Sequence, residues 1–206
     1  MCGRFVDPNL RSMGLDTSWL KITPFPRRYN VKPTQEVLIL AKPALEPLVA
    51  RWWLLPSWFK GEDVKGWKAT TFNARIEEAK EKPAFRAVWR YGRCLIPAAG
   101  YYEWTGDRGA KQPHFIYPAG NDEMLFFAGL ASRWHDLLTC TILTRAANDT
   151  TADLHPRMPV ILNTEEQDAW LGGSDDLNLG TGAQLRHHPV RSFGIGDDGP
   201  MLIEEA

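Results

Sequence analysis

Cysteine is scarce in this chain, and its placement excludes two common structural uses. The three cysteines, Cys2, Cys94 and Cys140, are odd in number and widely separated along 206 residues. Such a set argues against a framework of disulfides, and the absence of a Cys-x-x-Cys pair argues against a zinc cluster. The composition predicts a protein of the reducing cytoplasm that needs no metal and no cofactor to hold its fold.

Long hydrophobic runs and a secretory leader are also missing. No segment approaches the roughly 18 uninterrupted apolar residues of a membrane span, and the first residues lack a basic-then-apolar signal pattern. Hydrophobic residues make up 44% of the chain, with nine Trp and nine Phe, which is enough for a substantial core. We predict a soluble, monomeric protein with no membrane contact, folded as one domain over residues 1–206.

The chain has almost no net charge overall, but its acidic and basic residues are unevenly distributed. The formal net charge is −1, yet residues 151–206 carry ten acids against three arginines, so the basic excess lies in residues 1–150. Fifteen of the 24 basic residues are Arg, the side chain suited to bidentate phosphate contacts. This pattern permits nucleic-acid binding, although an ordinary solvated surface is the alternative. The acidic segment 172–206 is the least defined part of the predicted domain.

Short β-branched and aromatic runs dominate the middle of the chain, bounded by Pro, Gly and Asn. The predicted strands are 36–41, 48–55, 93–97, 112–117, 124–130, 139–144 and 159–162. The predicted helices are 7–13, 74–80, 83–89 and 164–171, the last opened by a Thr164-x-x-Gln167 capping box. Because no βαβ alternation or repeat occurs, we predict an α+β fold, mostly an antiparallel curled or barrel-like sheet with peripheral helices.

The most reactive feature is Cys2, which directly follows the initiator Met1. Removal of Met1 is chemically plausible and would leave an α-amine of pKa about 7.7–8.0 and a thiol of pKa about 8.5 on one residue. An aldehyde condenses with such an amine to an imine, and the thiol then closes a thiazolidine ring. The alternative is an incidental cysteine in a frayed terminus.

Three further polar residues lie in segments that otherwise indicate core. Glu103, in an aromatic strand, is costly to bury, and burial would raise its pKa and suit it to proton transfer, unless it faces solvent on an edge strand. Asn73 precedes a predicted helix, so its ordinary role is an N-cap. His155 stands beside two prolines, a rigid setting for an imidazole, although a lone loop His is more often structural.

Tryptophans interleave with basic residues between Arg51 and Lys60. Trp52, Trp53 and Trp58 in this stretch suit base stacking beside phosphate contacts. Alternating Trp in a strand is, however, more often core.

Together and in this order, these segments resemble the SRAP family, the SOS-response-associated peptidases understood as abasic-site processing proteins. The resemblance runs from Cys2 to about Leu162. Its motifs are Cys2-Gly3-Arg4-Phe5, Arg28-Tyr29-Asn30-Val31-Lys32-Pro33-Thr34, Arg51-Trp52-x-Leu54-Leu55-Pro56-Ser57-Trp58, Asn73-Ala74-Arg75-x-Glu77, Arg93-Cys94-Leu95-Ile96-Pro97-Ala98-x-Gly100-Tyr101-Tyr102-Glu103-Trp104 and His155-x-Arg157-Met158-Pro159.

The resemblance implies a chemistry and a set of roles. The mature Cys2 would form a thiazolidine with the ring-opened aldehyde of an abasic site in single-stranded DNA, at single/double-strand junctions as well, during the DNA damage (SOS) response. Asn73 would orient the amine, Glu103 would act as general acid and base, and His155 would assist opening of the sugar. The residues implied to contact DNA are Arg4, Asn30, Pro33, Trp58, Phe59, Arg75 and Arg157.

Two departures from the family pattern lie close to these residues. Pro156 stands where an Asp is common between the His and the Arg, and Trp53 replaces a usual Gly. Two other functions stay open at the level of sequence. One is an N-terminal-nucleophile cysteine peptidase that removes its own Met1, and the other is a reversible, non-catalytic single-strand binder.

Overall fold

The computed structural model describes residues 2–9, 27–42, 45–107, 109–120 and 124–206. Within them the chain forms strands and three α-helices. The strands are β1 (Phe5–Val6), β2 (Glu36–Ala41), β3 (Glu46–Trp52), β4 (Asn73–Arg75), β5 (Arg93–Ala98), β6 (Gly100–Thr105), β7 (Gln112–Pro118), β8 (Leu125–Trp134), β9 (Leu137–Ala146), β10 (Arg157–Pro159) and β11 (Leu185–Pro189). The helices are α1 (Ile76–Ala79), α2 (Arg86–Tyr91) and α3 (Thr164–Leu171), with short 3-10 turns at Val64–Gly66 and Pro200–Leu202.

Five strands close into a barrel, as the sequence predicts. Their order is β9-β3-β2-β5-β8, and pairing of β8 with β9 completes the ring. All neighbours in it are antiparallel except β3 and β9. β4 and β10 extend the sheet beside β9. The mostly antiparallel, barrel-like α+β fold is therefore confirmed.

A second, antiparallel sheet of order β1-β6-β7-β11 packs on the barrel. Strand β5 continues through Ala99 into β6, so a bend at Ala99 and Gly100 joins the two sheets. A Cβ at Gly100 would lie 2.5 Å from the Ile116 carbonyl oxygen and 2.5 Å from the Phe115 ring, so only glycine allows this close approach of β6 to β7. The bend connects the barrel directly to the strand that carries Glu103.

The N-terminal segment is part of the barrel core rather than a frayed end. The Phe5 ring lies 5.1 Å from the Trp52 ring and 6.1 Å from the Phe127 ring, and all three side chains are fully buried. Cys2 belongs to the same buried cluster. Burial of a Phe side chain stabilises the folded state by roughly 1.5–3 kcal/mol. These three packed rings therefore fix the position of the start of the described chain.

The local predictions hold in part. The expected strand 36–41 and helix 164–171 have the predicted bounds. The expected helix 74–80 is wrong in its first half, because Asn73–Arg75 pairs in parallel with β9 and only Ile76–Ala79 is helical. The expected helix 83–89 begins later, at Arg86. The prediction for 7–13 falls largely on residues outside those described, and residues 7–9 are not helical.

Two boundary errors have clear physical causes. The α3 cap is Asn163, whose side chain accepts from the Glu166 N–H at 2.9 Å while Glu166 accepts from the Asn163 N–H at 2.9 Å, so the capping box lies one residue before the predicted one. The predicted strand 159–162 is instead Arg157–Pro159. After it the chain crosses from β9 to β8, since the Val160 N–H bonds Leu143 O and the Leu162 N–H bonds Phe126 O.

No helix among the described residues is both long and apolar enough to cross a bilayer. No group of three or more His, Cys, Asp or Glu side chains in the same described ranges is arranged to hold a metal ion.

Candidate functional site

Strand pairing brings Cys2 next to Glu103. Phe5 pairs with Tyr101 and Val6 with Gly100, and the Tyr102 N–H donates to Arg4 O at 3.0 Å. Continuing this antiparallel register towards the N-terminus places the residue after Cys2 opposite Glu103. The Cys2 side chain is fully buried, and its Sγ lies 3.9 Å from Arg4 O.

Asn73 holds the main chain of Cys2. Its Nδ2 donates to Cys2 O at 2.8 Å, across 71 positions of sequence. β4 pairing with Ile142 of β9 sets the position of this side chain. The N-cap interpretation of Asn73 is therefore wrong, because Asn73 is a strand residue. Its Oδ1 is buried and accepts no hydrogen bond from the described part of the chain, which leaves an acceptor beside Cys2.

Glu103 is a buried carboxyl rather than an exposed edge residue. It is 5% exposed, and β6 lies between β1 and β7 in the sheet. Burial raises the pKa of Glu103 above its ordinary value, while the positive charge of a protonated His155 acts in the opposite direction. Burial also raises the pKa of the Cys2 thiol, and the Glu103 charge adds to that rise. Cys2, Glu103 and His155 thus interact electrostatically within one site.

His155 is held by its own turn. Its main-chain N–H donates to Thr151 O at 3.1 Å, and its ring Nδ1 lies 3.0 Å from both the nitrogen and the carbonyl oxygen of Arg157. The Arg157 main chain therefore orients the imidazole in either tautomer. Pro156, which departs from the family pattern, is compatible with this turn, since its carbonyl accepts from the Ala147 N–H at 3.1 Å.

A cleft of about 450 Å³ opens beside Asn73. Its walls include Trp58, Trp67, Arg75 and Lys82. The Trp58 side chain is 52% exposed and meets the Trp67 ring at 5.6 Å, edge to face. The cleft therefore combines an aromatic surface with two cations that share the Glu78 carboxylate, next to the residue that holds Cys2.

Phe59 differs from its neighbour. Its ring is half-buried and packs 5.2 Å from the Trp67 ring and 5.7 Å from the Trp134 ring, so it supports the aromatic wall from behind. Trp53, the second departure, packs 5.4 Å from Phe72 and donates to Ala69 O at 3.1 Å. The Trp53 side chain therefore packs against the segment that lines the cleft.

The three arginines predicted to contact DNA differ in their exposure and in their partners. Arg75 is exposed and lies 3.3 Å from Glu78. Arg157 makes a bidentate pair with Glu77, at 2.7 and 2.9 Å, so part of its charge is already neutralised. Arg4 is half-buried and donates to Asn30 Oδ1 at 2.7 Å.

Pro33 is the remaining predicted contact. It is half-buried in the turn before β2. It lies two residues after Val31, whose main chain bonds that of Phe5 in both directions.

Comparison with known proteins identifies the family. The family model described as SOS response associated peptidase (SRAP) matches residues 1–192. The chain belongs to the SRAP family. The abasic site processing protein YedK of Escherichia coli (strain K12) is 32% identical over 230 residues, covering 99% of each chain. The abasic site processing protein YoqW of Bacillus subtilis (strain 168) is 36% identical over 184 residues, covering 83% of this chain and 80% of YoqW.

A solved structure has the same fold as this SRAP protein. A crystal structure of a Bacteroides thetaiotaomicron protein superposes with a TM-score of 0.84 over 100% of both chains, at 24% identity. At that identity the likeness supports the SRAP fold alone.

Two side chains of the candidate site are not identified from the sequence. Tyr101 is fully buried in the cluster that contains Cys2, and its phenol interacts electrostatically with Cys2 and Glu103. Since it lies two positions from Glu103 on one strand, period-two alternation could have placed it on the same face. Trp67 lies in a loop, and nothing in the sequence links it to Trp58.

The buried Glu103 carboxyl predicts a pH-dependent stability. Because its pKa is raised on folding, the folded chain binds this proton more tightly, and the stabilisation is lost as pH rises through the folded pKa. We therefore expect the free energy of unfolding of the wild type, relative to Glu103→Gln, to fall as the pH rises above about 4, the ordinary pKa of a Glu carboxyl. Urea unfolding of both proteins measures this, and a difference that rises with pH contradicts the burial.

Proposed function

We propose that this protein traps abasic sites in single-stranded DNA as a covalent thiazolidine on Cys2. One observation carries the proposal: Asn73 holds the Cys2 main chain beside the buried Glu103 carboxyl, next to a cleft with aromatic and cationic walls. The names of YoqW and YedK as abasic site processing proteins support the same substrate. The reaction needs a free α-amine on Cys2, so the active protein is one that has lost Met1, which lies outside the described residues.

The first step is attack of the Cys2 amine on the aldehyde carbon. The ring-opened abasic sugar supplies the aldehyde, and the resulting carbinolamine loses its hydroxyl as water to give an imine. Asn73 orients the residue through its bond to Cys2 O, leaving Oδ1 as an acceptor for the amine N–H. Orientation of this kind converts a bimolecular encounter into a step of high effective concentration.

Glu103 supplies the proton transfers. A carboxyl whose pKa is raised by burial is partly protonated closer to neutral pH, so it can protonate the departing hydroxyl. Loss of water leaves a protonated imine. The carboxylate then takes the Cys2 thiol proton as the sulfur attacks the imine carbon, the C=N electron pair returns to nitrogen as the neutral ring N–H, and the Glu103 acid is regenerated. The balance is one aldehyde and one aminothiol giving one thiazolidine and one water.

His155 assists the sugar. In this proposal the imidazole donates a proton to the ring oxygen of the closed sugar as that ring opens. The electrostatic interaction of His155 with Glu103 supports a shared reacting centre for the two groups.

The cleft binds the flanking strand. Trp58 offers an exposed ring for stacking, and a phosphate would compete with Glu78 for Arg75 and Lys82, a combination that suits single strands with little sequence preference. Arg4 and Arg157 would add phosphate contacts. Residues 1–206 act in this proposal as one domain.

The test is an adduct assay with protein whose N-terminus is Cys2. We expect a denaturation-resistant adduct with a single-stranded oligonucleotide that carries one aldehydic abasic site. The matched control is the same oligonucleotide with a tetrahydrofuran residue at that position, which has no aldehyde and should give none. Absence of an adduct with the aldehydic DNA, or equal adducts with both, rejects the proposal.

A further inference from the structure

Residues 193–198 form a segment, here called the strap, that lies against Arg4 and its neighbours. The strap follows β11 and lies just beyond the residues matched by the family model. Its own turn is closed by Gly194 N–H, which donates to Asp197 Oδ2 at 2.7 Å. The Tyr29 N–H donates to Asp198 Oδ1 at 2.6 Å, and the Lys32 ammonium bonds Ile195 O. The strap is therefore an ordered element tied to the segment 29–32.

Asn30 links the strap to Arg4. This side chain is 4% exposed, and its Oδ1 accepts from Arg4 Nη1 at 2.7 Å. Its Nδ2 donates to Gly194 O at 3.1 Å and to Asp197 O at 2.7 Å. An amide nitrogen has two N–H groups, so the strap uses both of them. Asn30 has no donor left for DNA and instead joins two protein elements.

Trp104 supplies a second connection. The Arg4 guanidinium lies 5.8 Å from the Trp104 ring centroid, within the range of a cation–π contact. The Phe193 ring of the strap lies 5.6 Å from the same Trp104 ring and 4.9 Å from Tyr102. Arg4 is thus supported through an amide on one side and an aromatic ring on the other, and both supports rest on the strap.

We propose that the strap is a positioning element that holds the Arg4 guanidinium ready for a DNA phosphate beside Cys2, with Asn30 and Phe193 as its positioning residues. This inference rests on the proposed function, because it takes the ligand of Arg4 to be a phosphate next to the abasic site. Arg side chains lose considerable rotamer freedom when they bind. A guanidinium that is already fixed avoids that loss at the moment of DNA binding. The strap therefore raises affinity without touching DNA.

A double-mutant cycle tests this inference. The ligand is a single-stranded oligonucleotide with a tetrahydrofuran residue, so binding is reversible and independent of the aldehyde chemistry. We expect Arg4→Ala to reduce the slope of log affinity against log salt by about 0.7, the value for one phosphate contact in a single strand. Asn30→Ala and Phe193→Ala should each weaken binding by about threefold to tenfold, and neither should weaken it further when Arg4 is already Ala.

The control is Ile195→Ala, which removes a side chain of the strap that is 70% exposed and should leave affinity unchanged. Full additivity of Asn30→Ala and Phe193→Ala with Arg4→Ala overturns the inference, since both residues would then act without Arg4. The adduct assay judges the proposed function separately. If the wild type forms the adduct and the cycle is additive, only the positioning role of the strap is rejected. If the cycle is non-additive and no adduct forms, only the thiazolidine chemistry is rejected.

Discussion

Replacing Cys2 by Ala is expected to remove the denaturation-resistant adduct with abasic-site DNA. The variant keeps the α-amine, so an imine can still form, but that imine hydrolyses because no thiol closes the ring. A thiol on the same residue attacks with the high effective concentration of an intramolecular reaction. We therefore expect the yield of stable adduct to fall by at least about 100-fold, given effective molarities of about 10⁵ M and above for such reactions. Denaturing gel electrophoresis after a fixed incubation measures it.

Cys94→Ala provides the matched control for this variant. Cys94 is also a fully buried thiol of the same core cluster, on β5. The Cys94→Ala protein should retain the adduct, because Cys94 has no free α-amine and therefore cannot close a thiazolidine. Retention of the adduct by Cys2→Ala, or its loss in Cys94→Ala at unchanged thermal stability, contradicts the assignment of the nucleophile.

Glu103→Gln should give the second-largest effect. Gln has nearly the same shape, so β6 and its pairing with β1 should persist, yet it can neither accept the thiol proton nor protonate the leaving hydroxyl. Loss of a positioned general acid–base typically costs about 10²–10⁴-fold in rate. We expect the single-turnover rate of adduct formation to fall within that range. Quenched time courses with excess protein provide the measurement.

The pH profile distinguishes proton transfer by Glu103 from a purely structural role. The wild-type rate should vary with pH over the range in which the raised pKa of Glu103 lies, and the variant should lose that dependence. Glu165→Gln, which changes an exposed carboxyl in the first turn of α3, should behave as wild type. A Glu103→Gln protein with an unchanged rate and profile would falsify the role of this carboxyl.

Much of the fold is readable from local pattern. The strand at 36–41 is bounded by turn residues, and the helix at 164–171 by polar caps, so both are predicted with the correct bounds. Ala74 and Arg75 are predicted as helix and Asn73 as its N-cap, because the strand state of Asn73–Arg75 depends on parallel pairing with residues 142–144, which no local pattern reports. β1 is two residues long and β4 three, too short for periodicity to show. Non-local pairing therefore accounts for what the sequence misses.

In the candidate site, too, local chemistry is readable from the sequence and long-range contacts are not. Cys2 is singled out by its chemistry, whereas the hydrogen bond from Asn73 to the Cys2 carbonyl spans 71 positions and forms only in the folded chain. The buried state of Glu103 follows from the central position of β6. The partners of Asn30 in the strap lie more than 160 positions away, so no spacing rule could have assigned them.

The central claim is that the Cys2 nitrogen and sulfur both bond to one carbon of the abasic sugar. The direct measurement is mass spectrometry of the N-terminal peptide after nuclease and protease digestion of the wild-type adduct, followed by treatment with iodoacetamide. We predict a peptide that has gained the sugar fragment and lost one water, with a Cys2 sulfur that resists alkylation. A sugar fragment on any other residue, or a modified peptide whose Cys2 thiol is still alkylated, would contradict the account.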